Sequence, residues 1–319
     1  MGLWLHLFLL IQLAQLPITY NTSILHQDTL MVFGTNENMD TQILAIVVLY
    51  NPDIKLLRKN LSAFQQHVDK IILWNNGSDT MATLQINQLA ATSPKIMVTH
   101  QKKNKGISVA LNYGWAVAKE YGYNTLLTMD QDSVFHNFPI FKDKVIDFWN
   151  KGHQCICGPI CTPLTTCKTY DDFIEKKHII TSGMLVPIEL LDKVGGYCED
   201  FFVDGIDIEL CVKARKYNYK SFIYRGAYLT QIYGIPQSKK ILGKTMHSAG
   251  YPPNRLREIF KNHIIIYRKY HYPLDILIHI IYLYVLGFTI KGVLLIENNK
   301  KEKLKAIYQG IKNGLSAKI

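Results

Sequence analysis

Residues 1–38 contain no lysine or arginine, and the first basic residue of the chain is Lys55. A secretory signal peptide begins with a basic segment, so the apolar run at residues 3–16 lacks the feature that would make it one. This run is also shorter than the roughly 20 residues that a membrane-spanning helix needs. We therefore predict that residues 1–38 are an extension outside the fold, and we hypothesise that Met39 is the natural start. Native protein that begins at residue 1 or 2 would refute this hypothesis.

Sequence motifs of several enzyme classes are also missing. No G-x-G-x-x-G follows the first apolar run, which disfavours a dinucleotide-binding Rossmann site. Neither H-E-x-x-H nor G-x-S-x-G occurs, so the metalloproteases and hydrolases that carry these motifs are disfavoured as well. The chain has six cysteines, and those at residues 155–161 lack paired C-x-x-C knuckles. We expect reduced thiols in a buried strand there, rather than a disulfide framework or a structural zinc site.

Acidic residues are scarce in the last third of the chain. Residues 212–319 hold 20 basic and 4 acidic residues, whereas residues 39–211 hold 16 basic and 19 acidic ones. The formal net charge of +11 is therefore C-terminal in origin. A nucleic-acid-binding protein is disfavoured, because the first two thirds are slightly acidic and contain no motif for that function. The basic third could lie on an anionic membrane surface or hold a phosphate-rich ligand.

From residue 43 onward, apolar runs of strand length alternate with amphipathic helical segments. This alternation is typical of βαβ units in an α/β fold with a mainly parallel sheet. Helices are expected after the first and third strands, and a basic amphipathic helix is expected near residues 300–311. We predict strands at residues 43–49, 70–74, 96–99, 125–129, 154–158 and 179–186.

Polar side chains follow several of the predicted strands. In open α/β sheets, ligands bind beyond the carboxyl ends of the strands. The residues at these ends therefore form a candidate nucleotide site, and they are Tyr50, Asn51, Asn75, Asn76, Asp130 and Asp132.

Two acidic segments could carry chemistry. Asp130 and Asp132 stand two residues apart in a turn, where their carboxylates could share a divalent cation, although an Asx turn or a helix cap is the commoner role. The second segment holds Asp204, Asp207 and Glu209 at the start of a helical pattern, where capping is again the alternative. A carboxylate at such a position beside a cleft could act as a general base, because burial and neighbouring acids raise its pKa.

Five ordered motifs resemble the inverting family 2 glycosyltransferases and look most like their rhamnosyltransferase branch. They are IVVLYNPD at residues 46–53, NKGISVALN at 104–112, LTMDQDS at 127–133, TSG at 181–183 and FFVDGIDIELC at 201–211. The resemblance covers about residues 43–270. It implies a GT-A fold, a Rossmann-like transferase domain over residues 39–270 with a mixed, mainly parallel sheet flanked by helices. Residues 271–319 would be a C-terminal helical extension.

The resemblance also implies a nucleotide-sugar donor and a divalent cation, Mg²⁺ or Mn²⁺. By the family pattern Asp132 is the direct metal ligand, and Asp130 lies near the nucleoside and the metal. Asp207 takes the place of the catalytic aspartate, which would deprotonate the acceptor. Ile206 stands where many members have a glutamate, so Asp204 or Glu209 would supply the second acidic charge.

Further roles are implied by position. Asn75 falls where many members have an aspartate that contacts the pyrimidine, and an amide can still pair with it because it offers a donor and an acceptor. Donor-binding residues would be Tyr50, Asn51, Asn75, Asn76, Asn104, Gly106, Asn112 and Asp130. Acceptor-binding residues would be Ser182 and Gly183. The diphosphate would be held by His247 and Arg215, with Arg255, Arg257 and Lys261 as further basic candidates whose alternative is a solvated face.

The sequence thus predicts a membrane-associated glycosyltransferase that faces the cytoplasm. The expected reaction moves L-rhamnose from dTDP-rhamnose to a polysaccharide or lipid-linked saccharide, as in O-antigen or capsule synthesis. A UDP-hexose donor and a non-catalytic binding module are the alternatives. We expect the apolar residues 274–296 and the following basic helix to lie on the inner leaflet of the membrane. Helices that pack on the catalytic domain or form a homo-oligomer interface are the alternative.

Overall fold

Continuous apolar runs such as that of residues 43–49 form strands that are buried on both faces, as parallel strands covered by helices are. A computed structural model describes residues 41–162, 164, 166–231, 234–241, 243–270 and 291–319. The predicted N-terminal extension and residues 271–290 of the predicted C-terminal segment lie outside the described residues. All described residues belong to one compact unit, Asn38–Ile319.

The sheet is built from short strands and the helices that connect them. The strands are β1 (Ile43–Leu49), β2 (Lys70–Asn75), β3 (Ile96–His100), β4 (Thr125–Asp130), β5 (Val134–His136), β6 (Cys155–Thr162), β7 (Phe173–Lys176), β8 (Met184–Pro187), β9 (Lys220–Thr230), β10 (Gln237–Ile241) and β11 (Lys244–Ser248). The helices are α1 (Ile54–Phe64), α2 (Thr80–Ala90), α3 (Ile107–Tyr121), α4 (Phe138–Asn150), α5 (Ile188–Val194), α6 (Ile206–Lys216), α7 (Pro253–Tyr270) and α8 (Lys300–Ser316).

Nine of these strands form one mixed sheet in the order β3-β2-β1-β4-β8-β6-β9-β5, with β7 paired to β9. The pairs among β3, β2, β1 and β4 are parallel, and so is the pair of β6 and β9. Strand β8 runs antiparallel between β4 and β6. The predicted architecture, a mixed and mainly parallel sheet flanked by helices, is therefore confirmed. Strands β10 and β11 form a separate antiparallel hairpin.

The core lies on both faces of the sheet. Leu44 and Ile46 point to the face covered by α3, α5 and α6, whereas Ala45 and Val47 point to the face covered by α1, α2 and α4. The register places Leu49 beside Asn75, and Val48 beside Asp130. The carboxyl ends of β1, β2 and β4 therefore meet at one edge, and this edge carries the site.

Parts of the sheet differ from the prediction, and the short strands β5 and β7 were not predicted. The strand expected at residues 179–186 starts only at Met184, because Thr181–Gly183 forms a turn with Gly183 at a φ of +79° and its amide bonded to the carbonyl of Thr128. The long strand β9 has no predicted counterpart, since Arg225 and Gly226 interrupt its apolar pattern. The hairpin of β10 and β11 is likewise polar along its length and was missed.

The C-terminal helix α8 packs along α7, and two glycines allow the close approach. A Cβ at Gly310 would lie 2.4 Å from the carbonyl oxygen of Arg257, and one at Gly314 would lie 2.8 Å from that of Lys261. The basic helix predicted near residues 300–311 is therefore present and longer than expected. None of the helices in the described part of the chain has the length and apolarity to cross a membrane.

Candidate active site

The carboxyl ends of β1, β2 and β4 open into a cavity of about 940 Å³. Its walls also include the loop before α6 and the start of α7. Of the residues that the sequence places in the site, twelve line this cavity. They are Tyr50, Asn76, Asn104, Gly106, Asp130, Asp132, Ser182, Asp204, Asp207, Arg255, Arg257 and Lys261.

The turn that carries Asp130 and Asp132 is held by neutral polar groups. The Asp130 amide donates to Ser182 Oγ at 3.1 Å, and this hydroxyl donates to Ser133 Oγ at 2.9 Å. Asn60 Nδ2 donates to the Asp130 carbonyl at 2.6 Å. Ser182, predicted to bind the acceptor, thus supports the turn, and its neighbour Gly183 is buried against β9.

Gln231 supplies the remaining contact to these carboxylates. It follows the last residue of β9, and the pairing of Val134 with Thr230 brings it beside the turn. Its Nε2 donates to Asp130 Oδ2 at 2.8 Å, and its side chain is 7% exposed. Sequence analysis missed Gln231 because β9 was not predicted; a polar residue directly after that strand was the available signal.

Both carboxyl groups of the turn hold their protons more tightly than usual. Burial, followed by the charge of Asp132, raises the pKa of Asp130 to about 6. Burial also raises the pKa of Asp132, against the lowering effect of hydrogen bonds and of Arg255. Two carboxylates that repel each other in a partly buried turn are a site of unbalanced negative charge.

A divalent cation fits this turn. Carboxylate and amide oxygens are the ligands that Mg²⁺ and related hard cations take in proteins. Asp130 and Asp132 present such oxygens within one turn, and a cation would relieve the repulsion between the acids. The Gln231 amide faces Asp130 with its Nε2, and its oxygen accepts from Cys161 Sγ, so it could reach a cation only by turning over. Within the described residues, no third histidine, cysteine, aspartate or glutamate joins this pair.

The second acidic segment enters the cavity from the loop before α6. Asp204 has a φ of +62° and Gly205 a φ of +79°, so the chain turns sharply into α6. Asp207 lies in the first turn of the helix, where its Oδ1 accepts from the Ile208 amide at 2.8 Å. Burial, and to a lesser degree Asp204, raises the pKa of Asp207 to about 6. A carboxylate with such a pKa is suited to act as a general base near neutral pH.

Helix α7 holds this loop. Arg255 Nε and Nη2 donate to the two carboxylate oxygens of Asp204 at 2.9 and 3.0 Å. Asn262 Nδ2 donates to the carbonyls of Val203 and Asp204, both at 2.8 Å. The Arg255 guanidinium lies 4.5 Å from the centre of the Tyr251 ring. Of the basic candidates, Arg255 is thus the one that contacts Asp204, and its charge also lowers the pKa of Asp130 and Asp132.

On the donor side, Asn76 joins strand β2 to the loop before α3. Its Nδ2 donates to Asn104 Oδ1 at 2.9 Å and to the Gly106 carbonyl at 3.1 Å, and its Oδ1 accepts from the Lys105 amide. Gly106 has a φ of +86°, and a Cβ there would lie 2.7 Å from the Phe202 carbonyl oxygen.

Two predicted donor-binding amides lie behind the cavity wall. Asn75 is buried; its Nδ2 contacts Thr83 and His100, and its Oδ1 accepts from the Ser78 amide. Asn112 bonds to both backbone groups of Tyr197 and so ties α3 to the chain after α5.

The other predicted residues contribute elsewhere. Asn51 accepts from the Asp79 amide at the start of α2. Glu209 is fully buried and contacts Tyr270 and Lys213, while Arg215 donates to the Lys177 carbonyl. His247 is exposed on the hairpin strand β11. The cavity lining includes none of these side chains, nor those of Asn75 and Asn112.

Comparisons with known proteins show which sequences and folds this chain resembles. The family model described as glycosyl transferase family 2 matches residues 44–170. The dTDP-rhamnosyl transferase RfbF of Shigella flexneri is 24% identical over 287 residues, which are 84% of this chain and 93% of the relative.

Solved structures share the fold. S. aureus TarS 1-349 in complex with UDP-GlcNAc has a TM-score of 0.53 and 15% identity, covering 86% of this chain and 81% of that one. GalNAc-T7, solved with UDP, GalNAc and Mn²⁺, has a TM-score of 0.55 and 12% identity. That match covers 72% of this chain, which spans about half of the GalNAc-T7 chain (48%). The fold is the GT-A fold that the sequence predicts.

Proposed function

Because the chain is a glycosyltransferase with the family 2 sequence signature, we propose that it transfers L-rhamnose from dTDP-rhamnose to a saccharide acceptor with inversion. The observation that carries this proposal is that Asp130, Asp132 and Asp207 line one cavity, with Arg255 beside them. The choice of donor is supported by the similarity to a dTDP-rhamnosyl transferase.

In the proposed reaction, Asp207 accepts the proton of the acceptor hydroxyl. The acceptor oxygen forms a bond to the anomeric carbon while the bond from that carbon to the diphosphate oxygen breaks. The nucleoside diphosphate leaves from the opposite face with the electron pair, so a single displacement inverts the configuration. The raised pKa of Asp207 suits this task, because a base with a pKa near 6 is charged at pH 7 yet takes up a proton readily.

Arg255 is the residue that we expect to bind the diphosphate. A guanidinium forms paired hydrogen bonds to phosphate as it does to carboxylate, and Asp204 already holds the planar group at the cavity wall. The cation-holding groups would be Asp130, Asp132 and the carbonyl oxygen of Gln231. A Mg²⁺ or Mn²⁺ ion bound there would supply positive charge that stabilises the leaving diphosphate.

The proposed acceptor is a growing surface polysaccharide, in the form of a lipid-linked saccharide at the inner leaflet of the membrane. Helix α8 supports this location, because Tyr308 and Leu315 are exposed beside Lys301, Lys305 and Lys312. Exposed apolar side chains among lysines are typical of helices that lie on anionic lipid. Vesicle sedimentation tests this: phosphatidylglycerol vesicles should retain the protein and phosphatidylcholine vesicles should not. Equal sedimentation with both kinds of vesicle would refute the proposed attraction of the α8 lysines to anionic lipid.

The donor is tested by incubating purified protein and Mn²⁺ with a panel of nucleotide sugars and measuring release of the nucleoside diphosphate. We expect release from dTDP-rhamnose, at a rate abolished in Asp207→Asn when a saccharide acceptor is present. A preference for a UDP-hexose would replace the proposed donor and keep the reaction. Release from no donor, with binding of one retained, would favour a non-catalytic binding module.

A further inference from the structure

A buried ion pair lies in the C-terminal segment, well beyond the residues that the family model matches. Lys303 Nζ and Glu297 Oε2 are 2.6 Å apart, and the two residues are only 4% and 3% exposed. The free-energy cost of removing two charges from water often exceeds the gain from their attraction, so stability alone is a weak reason for such a pair. The hydrogen bonds of the second carboxylate oxygen of Glu297 indicate another reason for the pair.

Glu297 Oε1 holds the chain just after the β10–β11 hairpin. It accepts hydrogen bonds from Ser248 Oγ and from the Gly250 amide, the latter at 3.2 Å. Gly250 has a φ of +62°, and a Cβ there would lie 2.0 Å from the Ile235 carbonyl oxygen. The carboxylate therefore fixes a tight passage of the backbone, which we call the 248–251 loop.

The 248–251 loop ends at the cavity. Tyr251 and Ile235 line the cavity wall, and the Tyr251 ring lies beneath the Arg255 guanidinium at 4.5 Å. Tyr251 packs in an apolar cluster with Leu256 of α7 and with Val293 and Ile307 of the C-terminal segment. The chain of contacts thus runs from α8 through Glu297 and Tyr251 to Arg255.

We propose that Glu297 is a positioning residue for the diphosphate end of the donor pocket. Its Oε1 fixes the 248–251 loop, which sets the Tyr251 ring under Arg255, and the ion pair with Lys303 orients the Glu297 carboxylate. The inference rests on the proposed function of Arg255 as the diphosphate-binding residue. It makes the C-terminal segment a part of the nucleotide site and gives the buried pair a function besides folding.

Two double variants separate positioning from folding. Glu297→Met with Lys303→Met replaces the buried pair by apolar side chains of similar size, and such replacements are often neutral for stability. Glu297→Gln with Lys303→Met removes the same charges but keeps a carbonyl oxygen for the Gly250 amide. We expect the first variant to bind dTDP about five- to tenfold more weakly, with a raised donor KM and kcat within about twofold of wild type. The second should retain wild-type affinity.

Calorimetric titration of dTDP and UDP, thermal unfolding and hydrogen exchange of residues 248–251 give the readouts, with exposed Glu302→Met as the matched control. Equal dTDP affinity of the two folded double variants, or equal protection of the Gly250 amide, overturns the proposal. If the wild type binds neither dTDP nor UDP, the proposed donor class fails. In that case the hydrogen exchange alone decides whether Glu297 fixes the loop.

Discussion

The two acidic segments of the cavity are held in place by different kinds of partner. The turn of Asp130 and Asp132 is bound by neutral hydroxyl and amide groups, and the nearby charge of Arg255 only partly offsets its negative charge, since the pKa of both acids stays raised. The loop before α6 is bound by a cation, because Arg255 pairs with Asp204. Under the proposed function, neutral partners would leave negative charge for a metal ion, whereas the cationic partner pairs with Asp204 and not with Asp207.

The largest effect should come from Asp207, the uncompensated acid of the second segment. Asp207→Asn should lower the transfer rate by about 10²- to 10⁴-fold, the usual contribution of a general base. It should leave dTDP affinity within about twofold, because the amide keeps the size of the side chain. Transfer at the wild-type rate, measured as dTDP release with acceptor present, would remove Asp207 from the catalytic position.

The same substitution should stabilise the protein. Folded Asp207 keeps its proton up to about pH 6, whereas an aspartate in the unfolded chain releases it near pH 4. The charged side chain therefore opposes folding at pH 7, and Asp207→Asn should raise the free energy of unfolding by about 1–3 kcal/mol there. The gain should vanish below about pH 4, where both states hold the proton. Urea unfolding at pH 7 and pH 4 measures this; a gain independent of pH would contradict it.

Asp132 tests the first acidic segment, the turn whose partners are neutral. Asp132→Ala should weaken Mn²⁺ binding, followed by electron paramagnetic resonance, by about 10- to 100-fold, because one of the two carboxylates is lost. Asp143→Ala on the exposed surface of α4 is the control. An unchanged Mn²⁺ titration would show that the turn has a structural role only.

Arg255 tests whether the cationic partner also serves the donor. Arg255→Gln should raise the donor KM about tenfold through loss of a charge-assisted contact. His247→Gln should leave KM unchanged, since His247 is exposed on the hairpin outside the cavity lining. The reverse order of the two effects would return the diphosphate to the residue that sequence reasoning favoured.

Gln231 tests whether the neutral partners of the Asp130 turn affect cation binding. Gln231→Ala should weaken Mn²⁺ binding by about three- to tenfold if the amide turns and offers its oxygen to the ion. Gln237→Ala on β10 is the matched control. Tighter Mn²⁺ binding in Gln231→Ala would instead show that the amide competes with the cation through its N–H groups.

Asp204 should give the smallest effect. Its charge contributes to the raised pKa of Asp207, so Asp204→Asn should move the acid limb of the pH–rate profile to lower pH by a few tenths of a unit. The released Arg255 would act in the same direction. A limb that moves to higher pH would contradict the assignment of this limb to Asp207.

The parallel half of the fold was predictable because its strands are continuous apolar runs that end in polar residues. The positions of β1 to β4 and of the Asp130 turn follow from that pattern. Strand β9 and the β10–β11 hairpin were not predictable, since they carry polar and charged side chains along their lengths. Gln231 was missed with β9 for this reason.

Asn75 and Asn112 illustrate a different limit. The family resemblance assigns both to the donor site, yet their amides bond to the protein itself. The Nδ2 group of Asn75 contacts Thr83 of α2 and His100 of β3, and its Oδ1 accepts from the Ser78 amide in the loop before α2. Local sequence cannot distinguish a side chain that faces a ligand from one that forms the wall behind it, since long-range packing decides which way the side chain points.

The backbone contact at Gly106 sets the distance between the loop before α3 and the chain that leads into α6. The Ile107 amide donates to the Phe202 carbonyl at 2.8 Å, and Ser108 Oγ donates to the Phe201 carbonyl at 2.7 Å. With no side chain at Gly106, the donor-side loop and the chain leading to Asp207 meet backbone to backbone. The spacing between the loop that carries Gly106 and the chain that leads to Asp207 is therefore set by backbone contact, and in the proposed reaction the sugar ring would have to fit within that spacing.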